Sequence, residues 1–249
     1  MATSRFINIE RRLQRDETLR VEYVKFMNEY IDMGHMREVK CEERLLKNAY
    51  YLPHHPVLKL SSLTTKTRVV FDGSARTTSG LSLNDVLMRG PTVQEDIFSI
   101  LTRFRKHQYV ITADIEKMFR QIMVAEEDCH LQRVLWRANP SEEIRTYNLL
   151  TVTYGTTPAS FMATQCLVTL AQEYKNKNRK VAQVIDRDFY MDDLMTGCDT
   201  VEECMQLQKD ITVVLESAKL PLRKWCSNSP TIIATISDNQ KNQENKKKK

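Results

Sequence analysis

The chain has 249 residues, enough for one large domain or two small ones with a sizeable core. A hydrophobic fraction of 41% beside 28% charged residues is that of a globular protein, and only 6 Gly and 7 Pro argue against a loop-dominated fold. The net charge of +5 owes +3 to the tail Ser237–Lys249, so the body is near neutral and composition alone does not point to nucleic acid.

The N-terminus lacks an apolar signal region, and no stretch is long enough to span a bilayer, so no membrane role is expected. The six cysteines form no Cys-x-x-Cys pair, and the five histidines complete no zinc pattern. They read as reduced thiols of a cytosolic or nuclear protein.

The spacing of Tyr23, Phe26, Met27 and Tyr30 predicts one helix from about Ile9 to Met33, stopped by Gly34. Tyr51 to Asp72 reads as strand, broken by Pro53 and Pro56, with Arg68-Val69-Val70-Phe71 its strongest part. Thr77-Thr78-Ser79-Gly80 reads as a turn. Gly90-Pro91-Thr92 is expected to start a second helix with the stripe Ile97, Ile100, Leu101, Phe104. Tyr109–Asp114, Leu131–Arg137 and Tyr147–Thr153 read as strands, and a third helix follows Pro158. Phe189–Leu194 reads as a hairpin arm. Val201–Lys219 reads as a fourth helix with Cys204, Leu207, Ile211, Val214 and Leu215 inward. This alternation predicts an α+β fold, an antiparallel sheet backed by helices. The polar tail from 231 to 249 is expected to be disordered.

Two segments carry chemistry. Ile111-Thr112-Ala113-Asp114 and, 78 residues further from Asp114 to Asp192, Phe189-Tyr190-Met191-Asp192-Asp193 are apolar runs ending in carboxylate. Adjacent like charges in an apolar run are costly to bury unpaired, and a divalent cation is the usual remedy. Read singly, Asp114 could cap a turn and Asp192-Asp193 could be a surface turn. His54-His55 also invites a metal reading. Neighbouring side chains on an extended segment diverge, however, and no third ligand is evident.

Tyr190-Met191-Asp192-Asp193 resembles the catalytic hairpin of reverse transcriptases, and the Asp114 segment resembles the strand bearing their first metal-binding aspartate. Five ordered blocks resemble the polymerase of BEL/Pao long-terminal-repeat retrotransposons from about residue 33 to 228. They are Tyr51-Leu52-Pro53-His54-His55-Pro56-Val57, Arg68-Val69-Val70-Phe71-Asp72-Gly73-Ser74, Asp114-Ile115-Glu116-Lys117-Met118-Phe119-Arg120-Gln121-Ile122, Thr151-Val152-Thr153-Tyr154-Gly155-Thr156 and Leu222-Arg223-Lys224-Trp225.

The resemblance implies a right-hand polymerase with fingers and palm and the thumb largely absent. The implied divisions are an N-terminal helical extension (1–48), fingers (49–92 and 123–158), palm (93–122 and 159–230) and tail (231–249). It implies RNA-directed DNA synthesis by two-metal nucleotidyl transfer from a deoxynucleoside triphosphate to a primer 3′-hydroxyl. Two Mg²⁺ ions would serve, with Mn²⁺ an acceptable substitute. Asp114, Asp192 and Asp193 are the implied metal ligands, aided by the Ile115 carbonyl.

Phe119 matches the aromatic that excludes a ribose 2′-hydroxyl; otherwise it is a core residue beside Met118 and Ile122. Lys66 and Arg68 would meet the triphosphate, Arg68 as a fork and Lys66 either as a point charge or a solvated neighbour. Tyr154 and Gly155 match the contact to nucleotide and template, with a packed strand end the alternative for Tyr154. Lys224 matches a general acid for departing pyrophosphate, with Arg223 its competitor.

Implied partners are an RNA or DNA template with its primer, a deoxynucleotide, and the remaining retrotransposon polyprotein regions. The implied location is the cytoplasm or the retrotransposon particle, with the nucleus a further option. The rival expectation is a truncated, non-catalytic remnant that keeps the fold and weak nucleic-acid binding.

Overall fold

The computed structural model describes residues 1–40, 48–58, 67–237 and 240–241. The chain folds as two compact units, residues 1–90 with 122–159 and residues 91–121 with 160–249. Both mix helices and antiparallel strands, an α+β fold. No helix among the described residues is long and apolar enough to cross a membrane.

The first unit opens with α1 (Ala2–Arg15) and α2 (Glu17–Asp32), where the sequence periodicity predicted one helix. The break is Asp16, which leaves helical geometry (φ −133°, ψ 92°) and accepts from the Leu19 N–H at 3.0 Å. An aspartate ahead of an apolar helix is an N-cap signal, and here it outweighs continuous periodicity. Tyr23, Met27 and Tyr30 are buried, as the spacing requires. Gly34 closes α2 at φ +69°, with the His35 N–H returning to the Tyr30 carbonyl at 2.8 Å.

Among the described residues, two sheets follow in this unit. β1 (Met36–Glu38), β5 (Arg133–Trp136) and β6 (Arg145–Leu149) form one in the order β1-β6-β5. β2 (His54–Leu58) and β3 (Thr67–Phe71) pair antiparallel in the other, His54 opposite Phe71. A four-residue helix, α3 (Leu83–Val86), escaped the periodicity because it is a single turn; its Ser82–Asp85 capping box was the available signal.

The core of this unit packs Phe6, Tyr23, Phe71 and Trp136 around His54, with Tyr30 against Phe71. His54 is therefore structural. His54 is buried and His55 exposed on the opposite face of β2. His54 Nε2 lies 2.9 Å from the Leu135 carbonyl, which only accepts, so Nε2 carries the proton and Nδ1 accepts from the Tyr23 hydroxyl at 2.5 Å. Burial pushes the imidazole down to about 4, against the pull of the Leu135 carbonyl.

The unfolded ring takes up a proton near pH 6.5 that the folded ring refuses until about pH 4. Stability from this group is thus complete above pH 6.5 and is lost as pH falls toward 4, by about 3 kcal/mol. Urea unfolding between pH 7 and 5 checks this. His54→Gln should flatten the dependence, and an unchanged slope would assign it elsewhere.

The second unit is built on a four-stranded sheet in the order β7-β8-β4-β9. Its strands are β4 (Tyr109–Ile115), β7 (Phe189–Tyr190), β8 (Asp193–Cys198) and β9 (Leu222–Ser227). Its helices are α4 (Ile97–Phe104), α5 (Ala159–Tyr174), α6 (Arg179–Arg187), α7 (Val201–Ser217) and α8 (Pro230–Ala234). α4 begins at the Asp96 cap rather than at Gly90, because the Asp96 side chain takes the Ser99 N–H. α6 was unforeseen; Asn178 caps it through the Val181 N–H.

α7 buries Cys204, Leu207, Ile211, Val214 and Leu215 as predicted. The tail was expected to be disordered from residue 231, but Ile232 and Ile236 are buried and the Trp225 N–H donates to the Gln240 carbonyl at 2.9 Å; residues 242–249 lie outside the described residues. Two apolar residues in and just after a short helix, α8, anchor the stretch from 231 to 237.

Candidate active site

β4 lies between β8 and β9, so the end of β4 meets the hairpin on one side and Leu222–Trp225 on the other. Asp114 stands directly opposite Asp193 in the β4–β8 register. The Ile115 N–H donates to the Asp192 carbonyl at 2.8 Å. Asp114 and Asp193 are therefore a non-hydrogen-bonded pair, the kind in which facing side chains are closest and share one face. Asp192 sits in the two-residue turn between Tyr190 and Asp193, which are themselves paired.

The electrostatics follow from this register. Loss of hydration raises the Asp193 carboxyl above its ordinary value, and the charges of Asp192 and then Asp114 raise it further, with Lys224 opposing. Three carboxylates of one short stretch of sheet thus feel one another.

Lys224 arrives by a bulge. The β4–β9 register shifts between Thr112–Cys226 and Asp114–Arg223, leaving an extra residue on β9. Lys224 takes that strain at φ +57°, a conformation L residues rarely adopt. The bulge re-aims its ammonium onto Asp114 Oδ2 at 2.8 Å. Arg223 pairs instead with Glu116, at 3.3 Å. Of the two competing cations, Lys224 is the one that reaches the aspartates, and simple strand alternation could not have shown it.

The donor set fits a hard divalent cation: carboxylate oxygens of several residues whose mutual repulsion such a charge would relieve. Among the described residues, no group of three or more His, Cys, Asp or Glu side chains is arranged to hold a metal ion. The Asp114 carboxylate is turned to the Lys224 ammonium. Ile115 is fully buried, its N–H committed to the hairpin. Phe119 is half-buried in a 3-10 turn from Met118 to Gln121, entered through Lys117 at φ +54°.

The first unit gathers the other candidates around β3. Arg68 is on the exposed face of that strand, while Lys66 lies outside the described residues. The Tyr154 hydroxyl donates to the Val69 carbonyl at 2.6 Å, and its ring packs 5.6 Å from Phe71. Tyr154 is thus a packed residue that grips β3.

Gly155 has φ +96°, and a Cβ there would collide with the Phe71 carbonyl oxygen. What its missing side chain admits is the chain's own backbone. Gly155→Ala should cost about 3 kcal/mol in a melt, joining strained backbone to overpacking. Gly34→Ala, at φ +69° with nothing within 4 Å, should cost roughly 1 kcal/mol. Equal costs would show that the Phe71 contact is unimportant.

Asn84 was missed by sequence reasoning. Its side chain accepts from the Thr157 N–H at 2.8 Å and donates to the Gly155 carbonyl at 3.0 Å and Ser74 Oγ at 2.9 Å. It ties the Gly73 turn to the Tyr154-Gly155 junction. The Ser82–Asp85 capping box around it was the only local clue.

The family model for reverse transcriptase (RNA-dependent DNA polymerase) matches residues 59–225. No curated protein sequence matches the chain. Among solved structures, a foamy viral protease–reverse transcriptase in complex with double-stranded DNA is similar, at 17% identity and a TM-score of 0.58. The match covers 78% of this chain and 28% of the viral one.

Proposed function

The chain belongs to the reverse transcriptase (RNA-dependent DNA polymerase) family, and on that premise we propose that it extends a primer with deoxynucleotides copied from RNA or DNA. We place it with the polymerases of BEL/Pao-type retrotransposons, on the five sequence blocks, acting in the cytoplasm or the element's particle beside the other polyprotein regions. The first unit would serve as fingers and the second as palm.

The observation that carries the reading is Asp114 facing Asp193 across β4 and β8, with Asp192 in the adjoining turn. Asp114, Asp192 and Asp193 would hold Mg²⁺, or Mn²⁺ in its place. Bound there, the metal would act as a Lewis acid on the attacking and leaving oxygens.

The chain's own groups do the rest. The primer 3′-oxygen attacks the α-phosphorus while the bond to pyrophosphate breaks. The exposed Arg68 guanidinium offers a fork to the triphosphate oxygens, with Lys66 an added charge. Lys224, paired with Asp114, would give a proton to pyrophosphate as it leaves. Phe119 excludes a ribose 2′-hydroxyl. Tyr154 and Gly155 support β3, which carries Arg68, and so act on the nucleotide through that strand.

The rival reading, a fold-retaining remnant that binds nucleic acid weakly, draws on one observation: no three-carboxylate metal-holding group among the described residues. The test is elongation of oligo(dT) on poly(rA) with dTTP. The polymerase reading requires longer products with Mg²⁺ and none with EDTA. Primer–template binding without elongation would favour the remnant.

A further inference from the structure

The β7–β8 hairpin depends on a residue outside all five sequence blocks. Its turn consists of Met191 and Asp192, between the paired residues Tyr190 and Asp193. Met191 sits at φ +56°, whereas Asp192 is not among the residues with positive φ. This is the pattern of a turn that asks for glycine at its first central position. A methionine there is strained and must be held by its surroundings.

The N–H of that first position takes no part in the turn's own hydrogen bond, which runs between the outer residues. In this protein the Met191 N–H donates to Gln94 Oε1 at 2.9 Å, a contact 97 positions apart in sequence. Both residues belong to the second unit.

Gln94 is itself anchored through its neighbour. Glu95 Oε2 accepts from Arg103 Nη1 at 2.5 Å. Arg103 Nε donates to Asp188 Oδ1 at 3.2 Å, and its other nitrogen donates to the Arg187 carbonyl. Asp188 Oδ2 accepts from Thr196 Oγ1, and the Asp188 carbonyl takes the Met195 N–H, at 2.8 and 2.9 Å. The segment Gln94–Glu95 therefore grips the hairpin at its tip and at its root.

We propose that Gln94 is a positioning residue for nucleotidyl transfer: its side-chain amide fixes the backbone of the turn that presents Asp192 and Asp193. The inference rests on the polymerase reading for its catalytic consequence, and on the hydrogen bond alone for its structural one. A small displacement of catalytic groups is costly in rate, so a loosened turn should lower kcat far more than it changes substrate binding.

Two variants test it. Gln94→Leu keeps the volume and removes the acceptor; Gln94→Glu keeps an acceptor oxygen. The first readout is amide hydrogen exchange at Met191 in ¹⁵N-methionine-labelled protein, assigned with Met191→Leu. Exchange should rise about tenfold in Gln94→Leu and stay near wild type in Gln94→Glu. The second is single-nucleotide incorporation. Here kcat should fall about tenfold or more in Gln94→Leu, with KM for primer–template and the melting temperature little changed.

Unchanged exchange in Gln94→Leu overturns the proposal whatever the activity. Faster exchange with an unaltered kcat overturns the positioning role. A folded wild type that extends no primer overturns the polymerase reading and the catalytic half with it, while the exchange measurement still decides whether Gln94 holds the turn.

Discussion

Asp114→Asn is expected to cut nucleotide incorporation at least about a thousandfold while leaving the fold intact, as loss of several kcal/mol of metal-borne charge stabilisation would. The separation of activity from stability follows from the site's electrostatics. Asp114 contributes to the repulsion that raises the Asp193 carboxyl, so neutralising it relieves the native state. The interaction it gives up, with Lys224, involves a lysine side chain 56% exposed, and such pairs contribute at most about 1 kcal/mol. A melting curve near wild type with activity gone is the predicted combination. Activity within tenfold of wild type would remove Asp114 from the chemistry.

Phe119→Val is expected to raise ribonucleotide relative to deoxynucleotide incorporation roughly 10- to 200-fold, the range that a steric difference of one small group supplies. Phe119 lies five residues beyond Asp114, on the 3-10 turn that leaves β4. Phe119 is half-buried there. The measurement is kcat/KM for matched nucleotide pairs on one primer–template. Deoxynucleotide incorporation should persist at a reduced level. A wild type that uses both sugars equally would show that the ring is packing alone.

The parts of the fold legible in the sequence were those set by local pattern. α2, β4 and α7 showed their apolar spacing, and the hairpin showed its carboxylates. Elements fixed by single capping residues were lost or misplaced. Asp16 split one predicted helix in two, Asp96 delayed the start of α4, and Asn178 opened the unforeseen α6.

At the site, sequence named the three aspartates but not their geometry. That Asp193 rather than Asp192 faces Asp114 is a matter of register, which no local pattern states. Lys224 reaches Asp114 only because β9 bulges, and Arg223 is diverted to Glu116. Gln94 and Asn84 act through side-chain amides on distant backbone, contacts that leave no periodic trace.

DNA synthesis on an RNA template is proposed to be driven by the carboxylates at the ends of β4 and β8. Its most direct test is single-turnover incorporation of one deoxynucleotide into a primer annealed to RNA, with Mg²⁺ and at low salt so that phosphate contacts hold the duplex. Wild type and Asp192→Asn are compared at equal bound primer–template. A one-nucleotide extension is expected from wild type, at least about a thousandfold slower in Asp192→Asn, with binding unchanged between the two. Equal rates, or a folded wild type that binds the duplex and adds no nucleotide, would contradict it.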